Sequence, residues 1–177
     1  MMLEPVIRAA TPQDLKSIYA VVEDASRRYK GVIPEDRWKE PYMPWDELIH
    51  EIRAGVEFWV LEDYSGITGV MGLQDRGDVH LVRHAYVLTD RQGRGVGSRL
   101  FDFLYARTTM PVLVGTWKAA WWAVKFYEKH GFREVAPEMK DFLLNKYWSI
   151  PARQTETSTV LADARWYAAN PGPAPEI

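Results

Sequence analysis

Cysteine is missing from all 177 residues of the chain. Its absence excludes disulfides, thiolate metal sites and a cysteine nucleophile, and agrees with a reducing cytosol. Long hydrophobic runs are missing too. No apolar stretch approaches the ~20 residues that span a bilayer. The opening residues, Met1 to Arg8, lack the apolar segment of a secretory signal. An excess of one charge is also lacking: 22 Lys and Arg face 24 Asp and Glu, for a formal net charge of −2. That balance supplies no electrostatic reason to bind nucleic acid or an anionic membrane. Together these absences predict a soluble, cytoplasmic protein.

Apolar residues make up 47% of the chain and charged residues 26%, as in an ordinary globular domain with one core. There is no internal repeat and no linker, so a single domain is expected over residues 1–165. Residues 166–177 are expected as a flexible tail, because Asn170 to Ile177 is rich in proline and poor in apolar residues.

Leu3 to Arg8 can form a strand. Thr11 and Pro12 then open a helix as N-cap and first helical position, with Leu15, Ile18, Tyr19 and Val22 on its buried face. Gly31 and Pro34 break it, and an irregular aromatic segment leads to a second helix over Trp45–Ala54. Strands are predicted at Val56–Leu61, Ile67–Leu73 and Val79–Leu88, close enough in sequence for an antiparallel meander. A helix over Val96–Thr108, a buried strand over Pro111–Thr116 and a helix over Ala119–His130 come next. A short strand over Phe132–Val135, a helix over Glu138–Tyr147 and a last strand over Thr155–Leu161 complete the set. Strands that first neighbour each other and then alternate with helices predict an α/β domain with a mixed sheet of about seven strands.

The sharpest local signal is Arg91-Gln-Gly-Arg-Gly-Val-Gly-Ser-Arg99, between a long strand and a helix whose apolar face is Val96, Leu100, Phe103 and Leu104. Three glycines at alternate positions permit a tight turn and close approach of a ligand to the backbone. The N–H groups of the helix's first turn and its dipole make an anion site suited to a pyrophosphate. Arg91, Arg94 and Arg99 add mobile positive charge. A Walker loop is excluded, because no lysine is present here. A dinucleotide fingerprint is excluded too: its third glycine would fall at Ser98 or Leu100. A glycine-rich turn that merely joins strand to helix remains open at this point.

A second segment, Trp117 to Phe132, places Ala123, Phe126, Tyr127 and His130 on one helical face, with Gly131 ending the helix. The two segments together resemble the GNAT superfamily of acetyl-CoA-dependent N-acetyltransferases. Its cofactor motif, Gln/Arg-x-x-Gly-x-Gly/Ala, is matched by Gln92, Gly95 and Gly97. Its second motif, Ala-x-x-Phe-Tyr-Glu-x-x-Gly-Phe, is matched by Ala123, Phe126, Tyr127, Glu128, Gly131 and Phe132. The resemblance is strong over residues 79 to 135, plausible from 3 to 78 and weaker after 136. Two departures stand out. Thr89 lies where the family commonly has Pro, and Ala120 lies where many members carry an Asn that contacts the pantetheine region.

The resemblance implies a mostly antiparallel central sheet flanked by helices. It implies that Gln92, Gly93, Arg94, Gly95, Val96, Gly97, Ser98 and Arg99 hold the CoA pyrophosphate. It also implies that Tyr86, Val87 and Leu88 lie beside the pantetheine and acetyl group, with Phe126 contributing to the cofactor site. An amine would attack the acetyl-CoA thioester directly, with no metal and no protein nucleophile. Tyr127 is the candidate general acid for the departing thiolate. The family often sets its base on the long strand, commonly a Glu, but no carboxylate occupies residues 79 to 89. His84 is the candidate base there, His80 a weaker one, and a water chain the competitor. Strict alternation puts His80, Val82, His84, Tyr86 and Leu88 on one face and Arg83 on the other.

Residues 31 to 63 carry nine acids and three bases. Such a rim, with Tyr29, Trp38, Tyr42 and Trp45, would suit a cationic amine acceptor; solvated helix faces are the plainer reading. Eight tryptophans include Trp117, Trp121 and Trp122, expected in packing or in the contact of a homodimer. Residues Tyr147 to Gln154 are expected at a dimer surface or in a wall of the acceptor pocket. The competing function is an acyl-CoA-binding regulatory module that has lost turnover.

Overall fold

The computed structural model describes residues 4–172. The expected start of the first strand at Leu3 and the last five residues of the expected tail lie outside that range. The chain divides into two compact units. One runs up to Asp75 and resumes over Val82–Thr109; the other consists of Arg76–Leu81 and the residues from Met110 on.

The first unit opens with β1 (Val6–Ala9). Thr11 and Asp14 then form a capping box: the Asp14 carboxylate accepts from the Thr11 N–H at 2.7 Å and from its hydroxyl at 2.9 Å. The expected helix start is a 3₁₀ turn over Pro12–Asp14, and α1 runs from Leu15 to Ser26. Helix α2 (Trp45–Arg53) has Asp46 and Glu47 in its first turn and His50 and Arg53 in its last, which complements the helix dipole. Gly55, at φ +96°, turns the chain past its end.

Strands β2 (Val56–Asp63) and β3 (Gly66–Asp75) form the expected antiparallel hairpin, with Phe58 opposite Gly72 and Val60 opposite Val70. Strand β1 pairs antiparallel with β2, Ile7 opposite Leu61. The two-residue period of the strands sorts their faces. Val56, Phe58, Val60 and Val70 join Ile18, Val22, Met43 and Leu48 in the core under α1 and α2. Each such side chain contributes about 1.5–3 kcal/mol by leaving water. Gly69 and Trp59 face the other way, onto α3 (Val96–Tyr105). Strand β4 (His80–Val87) lies next to β3. Its first two residues belong to the second unit.

In the second unit the order is β4, β5 (Val112–Trp117), β7 (Ser158–Ala162) and β6 (Arg133–Glu134). Strand β7 is antiparallel to both of its neighbours. The His80 N–H donates to the Pro111 carbonyl at 2.9 Å. Helices α4 (Trp121–Lys129) and α5 (Pro137–Tyr147) fall where periodicity puts them. The last strand is shorter than expected, because Ala152–Thr157 forms α6.

The expected start of the tail at residue 166 falls inside a helix. Residues Ala164–Ala169 form α7, capped by the Asp163 carboxylate on the Trp166 N–H, and Trp166 is buried. Tyr147 and Trp148, expected at a dimer surface or an acceptor wall, belong to the core of this unit with Leu113, Leu144 and Val160. Trp117 is buried as packing requires, whereas Trp121 is 59% exposed. Among the described residues no helix is long and apolar enough to cross a membrane.

Candidate active site

Strand β4 leads directly into the glycine-rich turn. Leu88 donates its N–H to the Thr68 carbonyl at 2.9 Å, and the Thr89 N–H donates to the Asp24 carboxylate at 2.7 Å. Gln92 then ties the turn back to the strand, its amide donating to the Val87 carbonyl at 3.1 Å. Gly93 and Gly95 take left-handed conformations, at φ +74° and +79°. A side chain with a Cβ would be strained in either place. Val96 is buried and starts α3, while Gln92, Gly93, Arg94 and Gly95 are exposed before it. The Arg99 N–H closes back on the Gly95 carbonyl at 3.0 Å. By helix geometry the N–H groups of Val96, Gly97 and Ser98 face off the end of α3.

The arginines differ from the expectation of three mobile charges. Arg91 lies 2.9 Å from Asp90 and 3.7 Å from Asp63, and donates to the Ser65 hydroxyl at 3.1 Å. Its charge is spent on Asp90 beside it and on Asp63 at the end of β2. Arg99 donates to the Pro5 carbonyl at 3.3 Å, which leaves its charge uncompensated. Arg94 has no ion pair or hydrogen bond among the described residues.

The largest departure from pattern is at His84, which has φ +53° in the middle of β4. No other non-glycine residue among those described has a positive φ. Such a conformation costs on the order of 1–3 kcal/mol. It breaks strict alternation, so Arg83 does not lie opposite His84 as the sequence predicts. Both reach one carboxylate. Arg83 Nη1 is 2.8 Å and His84 Nε2 2.9 Å from Oε2 of Glu51, which α2 supplies. Phe58 stacks on the His84 ring, with centroids 5.9 Å apart.

Burial pushes the Glu51 carboxyl up. The His84 hydrogen bond and the charges of His84, Arg83 and His50 more than reverse this, and the net position is below the ordinary carboxylate value. Glu51 was visible in sequence only as one of nine acids. It lies 33 residues from His84, and no local spacing signals the pairing.

Tyr86 turns its side chain to Tyr29 and Tyr42, with ring centroids 6.3 and 6.5 Å away. Burial raises the Tyr86 phenol well above its usual value, and the two neighbouring phenols raise it further. Burial also raises Tyr29, although the hydrogen bond from Tyr86 opposes it. These hydroxyls therefore stay protonated and bonded to one another. Trp38 stacks on Tyr42 at 5.7 Å, so three of the four aromatics expected around the acceptor do assemble. Trp45 does not: it packs edge-on against Tyr19 and is 41% exposed.

The acidic rim is largely self-neutralised. Glu40 pairs with Lys30, Glu47 with Lys39, Asp36 with Arg37, Glu62 with Arg8, Asp63 with Arg91 and Glu51 with Arg83, all at 3.7 Å or less. In the second unit Tyr127 is 5% exposed, and its ring meets Phe126 and Phe132 at 5.1 and 5.9 Å. Phe126 stacks against His130 at 4.5 Å, as their spacing on one face predicts. Ala120, at the departed Asn position, is fully buried. Among the described residues no cluster of His, Asp and Glu could hold a metal ion.

Residues 54–134 match the profile of the acetyltransferase (GNAT) domain. No curated protein matches the chain in sequence. An acetyltransferase of the GNAT family from Staphylococcus aureus is 14% identical, with 90% of this chain and 98% of that chain covered and a TM-score of 0.67. The PaiA N-acetyltransferase of Thermoplasma acidophilum, solved with coenzyme A, is 15% identical, with 91% and 99% covered and a TM-score of 0.67. N-acetylglutamate synthase of Neisseria gonorrhoeae, complexed with coenzyme A and N-acetyl-glutamate, is 17% identical over 91% of this chain and 35% of its own, with a TM-score of 0.58. At these identities the likeness is one of fold: a mixed α/β arrangement of seven strands flanked by helices. The profile of the GNAT acetyltransferase domain thus runs from the residue after α2 to β6, and the fold around it is that of GNAT acetyltransferases.

Proposed function

We propose that this chain transfers an acetyl group from acetyl-CoA to a primary amine by direct attack. The observation that carries the reading is the glycine-rich turn Gln92–Arg99, which starts α3 straight after the left-handed break in β4, inside the matched residues. In this reading the N–H groups from Gly93 to Ser98 hold the pyrophosphate, helped by Arg94 and Arg99. Backbone N–H groups of β4 near His84 polarise the thioester carbonyl, a large term when fixed donors await a developing oxyanion.

The amine nitrogen forms the new C–N bond as the C–S bond breaks. His84 takes the proton that the amine loses, and Tyr127 returns one to the departing thiolate. The coenzyme A in two neighbours of the same fold supports the choice of donor. The tyrosine cluster Tyr29–Tyr42–Tyr86 supports an acceptor that meets an aromatic wall. The self-neutralised rim supports only weak steering of a cationic amine, through Glu35, Asp46 and Glu57.

Release of CoA thiol from acetyl-CoA, followed over a panel of alkyl and aromatic primary amines, is the test. Amine-dependent release is expected. Tight binding of acetyl-CoA with no release for any amine would favour the regulatory module instead.

A further inference from the structure

Resting on the acetyltransferase reading, we propose that Glu51 is the positioning residue for His84: it orients the imidazole so that Nδ1 is the basic nitrogen, while Arg83 on the same oxygen restrains the pair. Glu51 lies in the last turn of α2. Its side chain is 12% exposed, that of His84 15% and that of Arg83 17%, so water screens the three little. A carboxylate ionised at neutral pH only accepts hydrogen bonds. The 2.9 Å contact therefore requires Nε2 of His84 to be the donor, which leaves the lone pair on Nδ1. Nδ1 has no partner among the described residues. Phe58 fixes the plane of the ring, and the left-handed backbone at His84 fixes its origin.

The carboxylate has a second claimant. Arg83 Nη1 holds Oε2 at 2.8 Å and also donates to the Gln74 amide oxygen at 3.2 Å. Glu51 from α2 and Phe58 from β2 thus meet the ring itself, while Arg83 from β4 and the charge of His50 from α2 act on it through the Glu51 carboxylate. Glu51 stabilises the imidazolium that forms when the amine's proton reaches Nδ1, and Arg83 opposes it. The proton then leaves from Nδ1 to solvent; Glu51 stays ionised throughout. This arrangement performs on α2 and β4 together the task for which β4 alone supplies no carboxylate.

The test uses the full chain with ¹⁵N-labelled histidine, with His84→Gln to assign the signal. NMR titration of the wild-type protein is expected to show His84 with its proton on Nε2. Glu51→Gln keeps an acceptor for Nε2 and removes the charge. Its His84 midpoint is expected about one pH unit lower, a tenfold change in the protonation equilibrium. Arg83→Gln is expected to move the midpoint the other way. In thiol release with any amine that turns over, the acidic limb of kcat/KM moves in the same two directions. A His84 proton on Nδ1 in the wild type, or unchanged midpoints in both variants, overturns the proposal. Turnover whose acidic limb ignores both substitutions overturns it as well, while the acetyltransferase reading survives. Absence of turnover with every amine overturns that reading and this inference together.

Discussion

Tyr127 is the one buried residue of α4, and burial by itself would serve packing as well as proton transfer. The two roles separate in kinetics. Replacing Tyr127 by Phe keeps the ring contacts with Phe126 and Phe132 and removes the hydroxyl. If the phenol protonates the thiolate, kcat for thiol release falls about 10²- to 10⁴-fold while calorimetric affinity for acetyl-CoA holds. An unchanged kcat would assign Tyr127 to packing. A second single-residue effect lies at Asp14. The Arg8 guanidinium, 2.7 Å away, holds its carboxyl well below the usual range; burial opposes this, and the Thr11 bonds support it. A lowered value means that the stabilisation is fully present above the unfolded carboxylate value of about 3.9 and is lost as pH falls below it. Asp14→Asn should therefore lose about 1.5–3 kcal/mol in denaturant unfolding at pH 7. The gap to the wild type should narrow only in acid below about pH 3.9. A gap independent of pH would refute the assignment.

At the scale of elements, two glycines of β3 show how the sheet admits its neighbours. A Cβ on Gly69 would lie 2.6 Å from Cγ1 of Val96 and 3.0 Å from Cδ1 of Leu100. One on Gly72 would lie 2.7 Å from Cγ1 of Val56 and 2.9 Å from the Arg83 carbonyl. Gly69→Ala pushes on the stiff first turn of α3, so weaker calorimetric binding of acetyl-CoA is expected. Gly72→Ala meets backbone that cannot yield, so it is expected to cost about 1–3 kcal/mol in denaturant unfolding. Equal acetyl-CoA affinity in Gly69→Ala and the wild type would show that the α3 start does not hold the cofactor. Helices and strands were legible in sequence wherever periodicity was strong. The meander, α3 and α4 are examples. Boundaries were less so: the 3₁₀ turn at Pro12–Asp14 and α7 arise from capping and one buried Trp166, which no periodic pattern announces.

For the whole molecule, the chemistry of the ligand should appear as stability. A ligand bound to the native state at a hundred times its Kd adds about 2.7 kcal/mol. For a chain of this length that is a rise in Tm of roughly 5–10 °C. Acetyl-CoA should give such a rise and ATP should not; equal shifts would mean a general nucleotide site. Some features of this protein come from the order of residues alone. The glycines of the cofactor turn, the Phe-Tyr pair of α4 and the alternating strands are local requirements, met by neighbours a few residues apart, and any fold that used them would need the same spacing. Other features belong to the folded chain. Glu51 meets His84 across 33 residues, Tyr86 meets Tyr29 and Tyr42, and Arg91 spends its charge on Asp63 and Asp90. The left-handed turn at His84 belongs with them, since nothing in a histidine demands it. Contacts between residues far apart in the chain leave no period to read, and a strained backbone is held only by the packing around it.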